Sequence, residues 1–146
     1  MILFSSALEL KLNIIIIIMN SLILDAASDK IFLVHIVSKN IYTCSHVNSK
    51  INFEKLIMLI NEFLESNNSS LNRIKTIYVN RGPGSFAGIR NSFAIIKALS
   101  LTNNIDYYCY SSKDFSTFKQ SNYEDVPHLC KKFKIKKNLI NAIYLS

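Results

Sequence analysis

The sequence predicts an α/β fold in which a mixed β-sheet is flanked by helices. Three observations carry this. β-rich stretches crowd together soon after residue 19, separated by turns of only a few residues. Two helical periodicities then alternate with two short strand-like runs. Glycine, which many-hairpin β architectures need throughout, is confined to one window: all three glycines and one of the two prolines lie between Gly82 and Gly88.

Each element follows from its local pattern. Ser21-Leu22-Ile23-Leu24 is a short apolar run closed by Asp25, as in a buried strand. Asp25-Ala26-Ala27-Ser28-Asp29 reads as a turn. Residues 30–37 and 41–46 are β-rich, with Ser38-Lys39-Asn40 as the turn between them, so three sequential antiparallel neighbours open the domain. Residues 52–65 read as a helix with Asn52 as its N-cap. Phe53, Leu56, Ile57, Ile60, Phe63 and Leu64 form one apolar face, and Met58 falls opposite, beside Glu54, Glu62 and Glu65. Asn67-Asn68-Ser69-Ser70 is a loop, and residues 74–79 are a second buried strand. The glycine window follows, then a helix over 85–99, a strand over 105–110 and a short helix over 112–118. The order βββ-α-β-α-β-α places a mixed sheet beside helices.

Composition bounds the rest. At 146 residues, 49% apolar and 18% charged, the chain is domain-sized and not compositionally disordered. The net charge is +7, but five of the 17 basic residues fall in one run, Lys131-Lys132-Phe133-Lys134-Ile135-Lys136-Lys137. The high charge therefore reports a basic C-terminal segment, either a solvated lysine-rich end or a surface for phosphate. Three widely spaced cysteines, Cys44, Cys109 and Cys130, argue against a disulfide scaffold or a zinc ribbon and fit a reducing cytoplasm, with Cys44 and Cys109 expected buried. Residues 14–18 are five isoleucines, too short and too interrupted upstream to span a bilayer. Residues 1–18 read as an extension ahead of Met19, residues 19–120 as the domain, and 121–146 as a short basic segment.

The glycine window joins a strand to a helix, where exposed amides favour an anion. The spacing nevertheless fits no phosphate motif. No lysine follows Gly88 as a Walker loop requires, and Gly82, Gly84 and Gly88 are spaced two and four rather than two and three. Ser85 directly follows Gly84, so the esterase elbow also fails, and Ser85 reads as an N-cap.

Arg81-Gly82-Pro83-Gly84-Ser85-Phe86-Ala87-Gly88-Ile89-Arg90 resembles the signature RGPGS-F-T-G-[VI]-R of the bacterial TsaB (YeaZ) family. Leu22-Ile23-Leu24-Asp25-Ala26-Ala27-Ser28 resembles the family's opening strand and I-D-T-[SA] turn, and residues 105–112 its strand before the V-S-S-L helix. The resemblance covers about residues 21–118. Asn80, Ala87 and Asn52 depart from the pattern, standing where the family has a small residue, a threonine and a histidine. The family carries a second, similarly folded half; here a short segment follows Phe118, and residues 141–146 faintly resemble the family's C-terminal P-x-Y-L-R, as in a minimal form.

The resemblance implies one half of an actin-like, ribonuclease-H-like (ASKHA) fold, shared with sugar kinases and actin. It implies a noncatalytic subunit in making threonylcarbamoyladenosine, the modified adenosine beside the tRNA anticodon. The expected partners are a catalytic TsaD-like subunit and a TsaE-like ATPase, with ATP and metal on those partners, none bound by this chain alone, and tRNA reached through the complex. A homodimer and an active kinase-like or glycoprotease-like enzyme of the same fold are the competing readings. The residues agree with a noncatalytic role: His35, His46 and His128 are scattered and form no HxxxH pair, so no metal site is expected. Asp25 and Ser28 are either a phosphate-loop remnant or ordinary turn residues. The second long helix has a bulky face (Phe86, Ile89, Phe93, Ile96) and a narrow one (Ala87, Asn91, Ala94, Ala98), and the narrow face with Met58 is the candidate partner interface. Arg81 and Arg90 either lock the loop or meet phosphate, and Lys131, Lys132, Lys134, Lys136 and Lys137 are the candidate tRNA contacts.

Overall fold

The structure is a computed structural model that describes residues 7–8, 20–115 and 122–144. The isoleucine run, Met19, the expected domain boundary at 120 and the end of the short helix expected over 112–118 lie outside the described residues.

Five strands form one sheet in the order β3-β2-β1-β4-β5. They are β1 (Asn20–Asp25), β2 (Lys30–Val37), β3 (Asn40–Val47), β4 (Thr76–Asn80) and β5 (Asp106–Tyr110). The first three are antiparallel neighbours, as their short turns require, with Ile23 opposite Val34 and Leu33 opposite Cys44. β4 pairs parallel with β1, and β5 parallel with β4. Parallel pairing needs crossovers, and helices supply them: α1 (Lys50–Glu54) and α2 (Leu56–Ser66) before β4, and α3 (Phe86–Asn103) before β5.

Alternation along the strands makes two cores. Leu22, Leu24, Leu33, Ile77, Val79 and Cys109 point toward α1–α3 and pack on Leu56, Ile60, Leu64, Ile89, Phe93 and Ile96. Ile23, Val34 and Tyr110 point the other way and meet Phe115 and the helix α4 (Val126–Lys132) through Val126, Leu129 and Cys130. β1 is thus covered on both faces, which accounts for its unbroken apolar run. Leu22, Ile23 and Leu24 are fully buried and each stabilises the fold by roughly 2 kcal/mol.

Several details differ from the sequence-based expectation. The first helical run starts at Lys50 and is capped by Ser49, whose Oγ accepts the Asn52 N–H at 3.2 Å. Asn52 sits inside the first turn and reaches back to donate to the Val47 carbonyl at 2.8 Å. The run slackens at Lys55, although Lys55 N–H still donates to Ile51 and Leu59 N–H to the Lys55 carbonyl. Leu59 joins the buried face and Ile57 is only half-buried. Cys44 is half-buried rather than buried because β3 is the outer strand of the sheet. Phe86 is 58% exposed, so the bulky face of α3 begins at Ile89. A 3-10 turn at Ser112–Asp114 stands where the short helix was expected to begin. All five lysines of the basic run are exposed, but the segment is anchored rather than frayed: α4 buries Val126, Leu129 and Cys130, and Lys137 lies in an antiparallel bridge with Tyr108.

Candidate functional site

The glycine window lies where three segments of the chain converge, and each glycine serves a close approach. Gly82 has φ +102°, a left-handed conformation that side chains resist, and a Cβ there would collide with the Ile143 carbonyl. A Cβ on Gly84 would meet the Ala27 carbonyl, and one on Gly88 the Ala26 carbonyl and the Phe53 ring at 3.2 Å. The Ser85 N–H donates to the Ala27 carbonyl at 2.9 Å, which ties the loop to the turn after β1. Pro83 follows a cis peptide bond. Ser85 caps α3, its Oγ accepting the Gly88 N–H at 3.2 Å. Asn80, which departs from the family pattern, braces the start of the loop, its Oδ1 accepting the Gly82 N–H at 2.9 Å.

Arg81 is committed inside the protein. Its guanidinium donates twice to the Asp114 carboxylate, Nη2 to Oδ1 at 2.6 Å and Nε to Oδ2 at 3.1 Å, while Nη1 donates to the Asn141 carbonyl. Its backbone N–H donates to the Tyr110 carbonyl and its own carbonyl accepts from Ile143, both at 2.7 Å. Asp114 also accepts the Ser111 N–H at 2.8 Å. Of the two competing roles for Arg81, the structure assigns the lock, not the phosphate contact. Asp114 lay unmarked in the sequence, 33 positions from its partner.

Asp25 is buried at the end of β1, and both of its oxygens are engaged. Oδ1 accepts from the Ala27 and Ser28 N–H groups at 3.1 and 3.2 Å. Oδ2 accepts from Ser28 Oγ at 2.9 Å and from the Tyr123 hydroxyl at 2.7 Å. Burial and the adjacent carboxylate hold the Tyr123 phenol above its ordinary range, so it remains a donor. Replacing Tyr123 by phenylalanine keeps the ring beside Phe32 but removes one donor to a carboxylate. A loss of about 1.5 kcal/mol in urea denaturation is expected; unchanged stability would show that the contact is not formed in solution.

The expected interface residues gather on one side of α3. Ala87, Arg90, Ala94 and Ala98 are exposed, and Asn91 is half-buried, donating to the Ala87 carbonyl at 2.7 Å. Phe86, Ala87, Arg90, Asn91 and Ala94 line a groove of about 670 Å³ whose other wall is Lys50, Phe53 and Glu54. Met58, 55% exposed, and Ala98 lie outside that lining. Phe86 packs against Tyr144, with ring centroids 4.8 Å apart and planes tilted by 46°, a contact sequence patterning could not reveal.

The five lysines are not brought together as one patch. Lys137 pairs with Asp106 at 3.8 Å, and the Lys132 ammonium lies over the Phe133 ring. Lys131 and Lys134 border one cavity, while Lys134 and Lys136 border a smaller one beside Arg81. Burial pushes the Cys109 and Cys130 thiols up to about 12, so neither is a nucleophile near neutral pH. Among the described residues no group of three or more His, Cys, Asp or Glu is placed to hold a metal, and no helix is long and apolar enough to cross a membrane.

Sheet order, crossovers and glycine loop together define an α/β half of the actin-like, ribonuclease-H-like class. The family model described as TsaD, tRNA N6-adenosine threonylcarbamoyltransferase, matches residues 46–131. The chain belongs to that family, and its likenesses within it are to TsaB (YeaZ) proteins. The tRNA threonylcarbamoyladenosine biosynthesis protein TsaB of Buchnera aphidicola subsp. Baizongia pistaciae (strain Bp) is 37% identical over 71 residues, 42% of this chain and 32% of that protein. Two solved structures share the fold at 18% identity, each alignment covering 63% of this chain and 43% of the other. They are YeaZ from Pseudomonas aeruginosa, with a TM-score of 0.58, and an uncharacterized protein with similarity to peptidase YeaZ from the same organism, at 0.59. The chain therefore spans less than half the length of each of these relatives.

Proposed function

We propose that this chain is a noncatalytic TsaB-like subunit that docks a TsaD-like catalytic partner for threonylcarbamoylation of the tRNA adenosine beside the anticodon. A TsaE-like ATPase completes the assembly, ATP and metal reside on the partners, and the complex works in the cytoplasm. The observation that carries this reading is the exposed small-residue side of α3, Ala87, Ala94 and Ala98, beside the groove walled by Phe53 and Phe86. Small side chains let the backbone of a partner helix approach closely, and the exposed Phe86 and Met58 supply apolar area to bury. The noncatalytic part rests on the residues that could have reacted. Ser85 is a cap, Asp25 is engaged by four donors, and the buried thiols are held protonated.

Ala94→Arg is the test. It places a long cation in the groove without touching the core, so the melting temperature is expected to stay within a degree or so. Co-purification with a TsaD-like partner is expected to be lost, a weakening of at least about a hundredfold for a charge buried against a helix. Retained co-purification by a folded variant counts against docking through α3. ATP turnover by the isolated wild-type chain would favour an enzyme of the same fold instead.

A further inference from the structure

The face of the sheet opposite α1–α3 carries a cavity that partner docking through α3 leaves unused. Tyr78 on β4 and Tyr108 on β5 are register partners there, with ring centroids 5.4 Å apart and planes within 13° of parallel. Pro127, His128, Cys130 and Lys131 of α4, and Lys134 and Ile135 just beyond it, complete the lining. The volume, about 510 Å³, is that of a small-molecule site. Burial holds the Tyr78 phenol above its ordinary range, so it stays a neutral hydrogen-bonding group.

Lys131 and Lys134 are exposed on its border, and neither forms an ion pair among the described residues. The end of α4 places Lys134. The Phe133 N–H donates to the Leu129 carbonyl at 2.9 Å and the Ile135 N–H to the Cys130 carbonyl at 3.0 Å, with Lys134 between them at φ 54°. This is the helix-ending position that glycine takes by default. The other described non-glycine residues with positive φ are Ser38, Asn68, Asn104 and Asn138, all short and polar. Lys134 thus holds a conformation that favours glycine, at the mouth of a cavity lined by paired aromatic rings.

We propose that this cavity is a nucleotide site, in which a base packs against Tyr78 and Tyr108 and its phosphate is held by Lys131 and Lys134. Aromatic surface with adjacent cations is the chemistry that recognises a base joined to a phosphate. The nucleotide comes either free or within an RNA strand, and the site lies on the other face of the sheet from the α3 groove, so it does not depend on partner docking.

The full chain is titrated with AMP, with adenosine and with inorganic phosphate, following the tyrosine ring NMR signals, which no tryptophan obscures. A short labelled single-stranded RNA is followed by anisotropy. AMP is expected to bind more tightly than adenosine or phosphate if the nucleotide is free; RNA binding that AMP displaces assigns the strand as its source. Lys134→Gly removes the ammonium and relieves the backbone, so binding is expected to fall about tenfold with no loss of melting temperature. Tyr108→Leu is expected to weaken AMP binding but not phosphate binding; should it not fold, Lys134→Gly with Lys131→Glu decides. Absence of AMP and RNA binding, phosphate binding as tight as AMP, or binding unchanged in that double variant overturns the proposal.

Discussion

Replacing Gly88 by alanine is expected to cost at least about 3 kcal/mol of stability. Alanine in a helix normally gains about 1 kcal/mol over glycine. Here the added Cβ runs into the Ala26 carbonyl, and the Phe53 ring sits 3.2 Å away on the other side. Neither neighbour can yield cheaply. Ala26 follows directly on β1, which is buried on both faces, and Phe53 belongs to the packed first helix. α3 would have to lift away from the turn, and the Ser85–Ala27 hydrogen bond would go with it. Urea denaturation measures the effect. A variant as stable as the parent, or more so, would mean that α3 does not approach the turn this closely.

Arg81→Ala is expected to destabilise by about 3 kcal/mol, because it leaves Asp114 with a partly buried, unpaired charge. The two side chains are only 14% and 18% exposed, so solvent screens the pair weakly. The same substitution strips the donor from the Asn141 carbonyl. Arg81→Lys keeps the charge but loses the two-pronged geometry, and about half the loss is expected to remain. Asp114→Ala in the Arg81→Ala background is expected to cost less than Asp114→Ala alone, since each single change orphans the other group. Fully additive losses in that cycle would show that the two do not interact.

Local pattern made much of this architecture legible. The three opening strands follow from their runs and short turns, the apolar faces of α2 and α3 from helical spacing, and the Ser85 cap from its place before α3. What stayed hidden was set by contacts far apart in the chain. The glycine spacing excluded phosphate loops but could not say that Ala26, Ala27 and Ile143 press on those glycines. Val126, Leu129 and Cys130 lie just ahead of the lysine run, and their short apolar spacing gave no expectation of the helix that closes the second face of the sheet. Asp25 read as a turn residue or a phosphate-loop remnant, and only folding brings Tyr123 to it. Tyr78 and Tyr108 read as strand residues, and parallel pairing of β4 with β5 makes them one surface.

The closure of the glycine loop by Asn141 and Ile143 has a consequence for the order in which the protein assembles. Arg81 and Asn141 are 60 residues apart, and Asp25 and Tyr123 are 98 apart. Such contacts close large loops of chain, and their entropy is lost before the contacts return anything. During synthesis β1–β3 and the first helices are available early, but the loop after β4 stays unlatched until residues 141–143 have been made. Before that, the second face of the sheet, with Ile23, Val34 and Tyr110, stays open until Phe115 and α4 have been made. The interval between making β5 and making α4 is when that apolar face leaves the nascent chain most exposed to unwanted association.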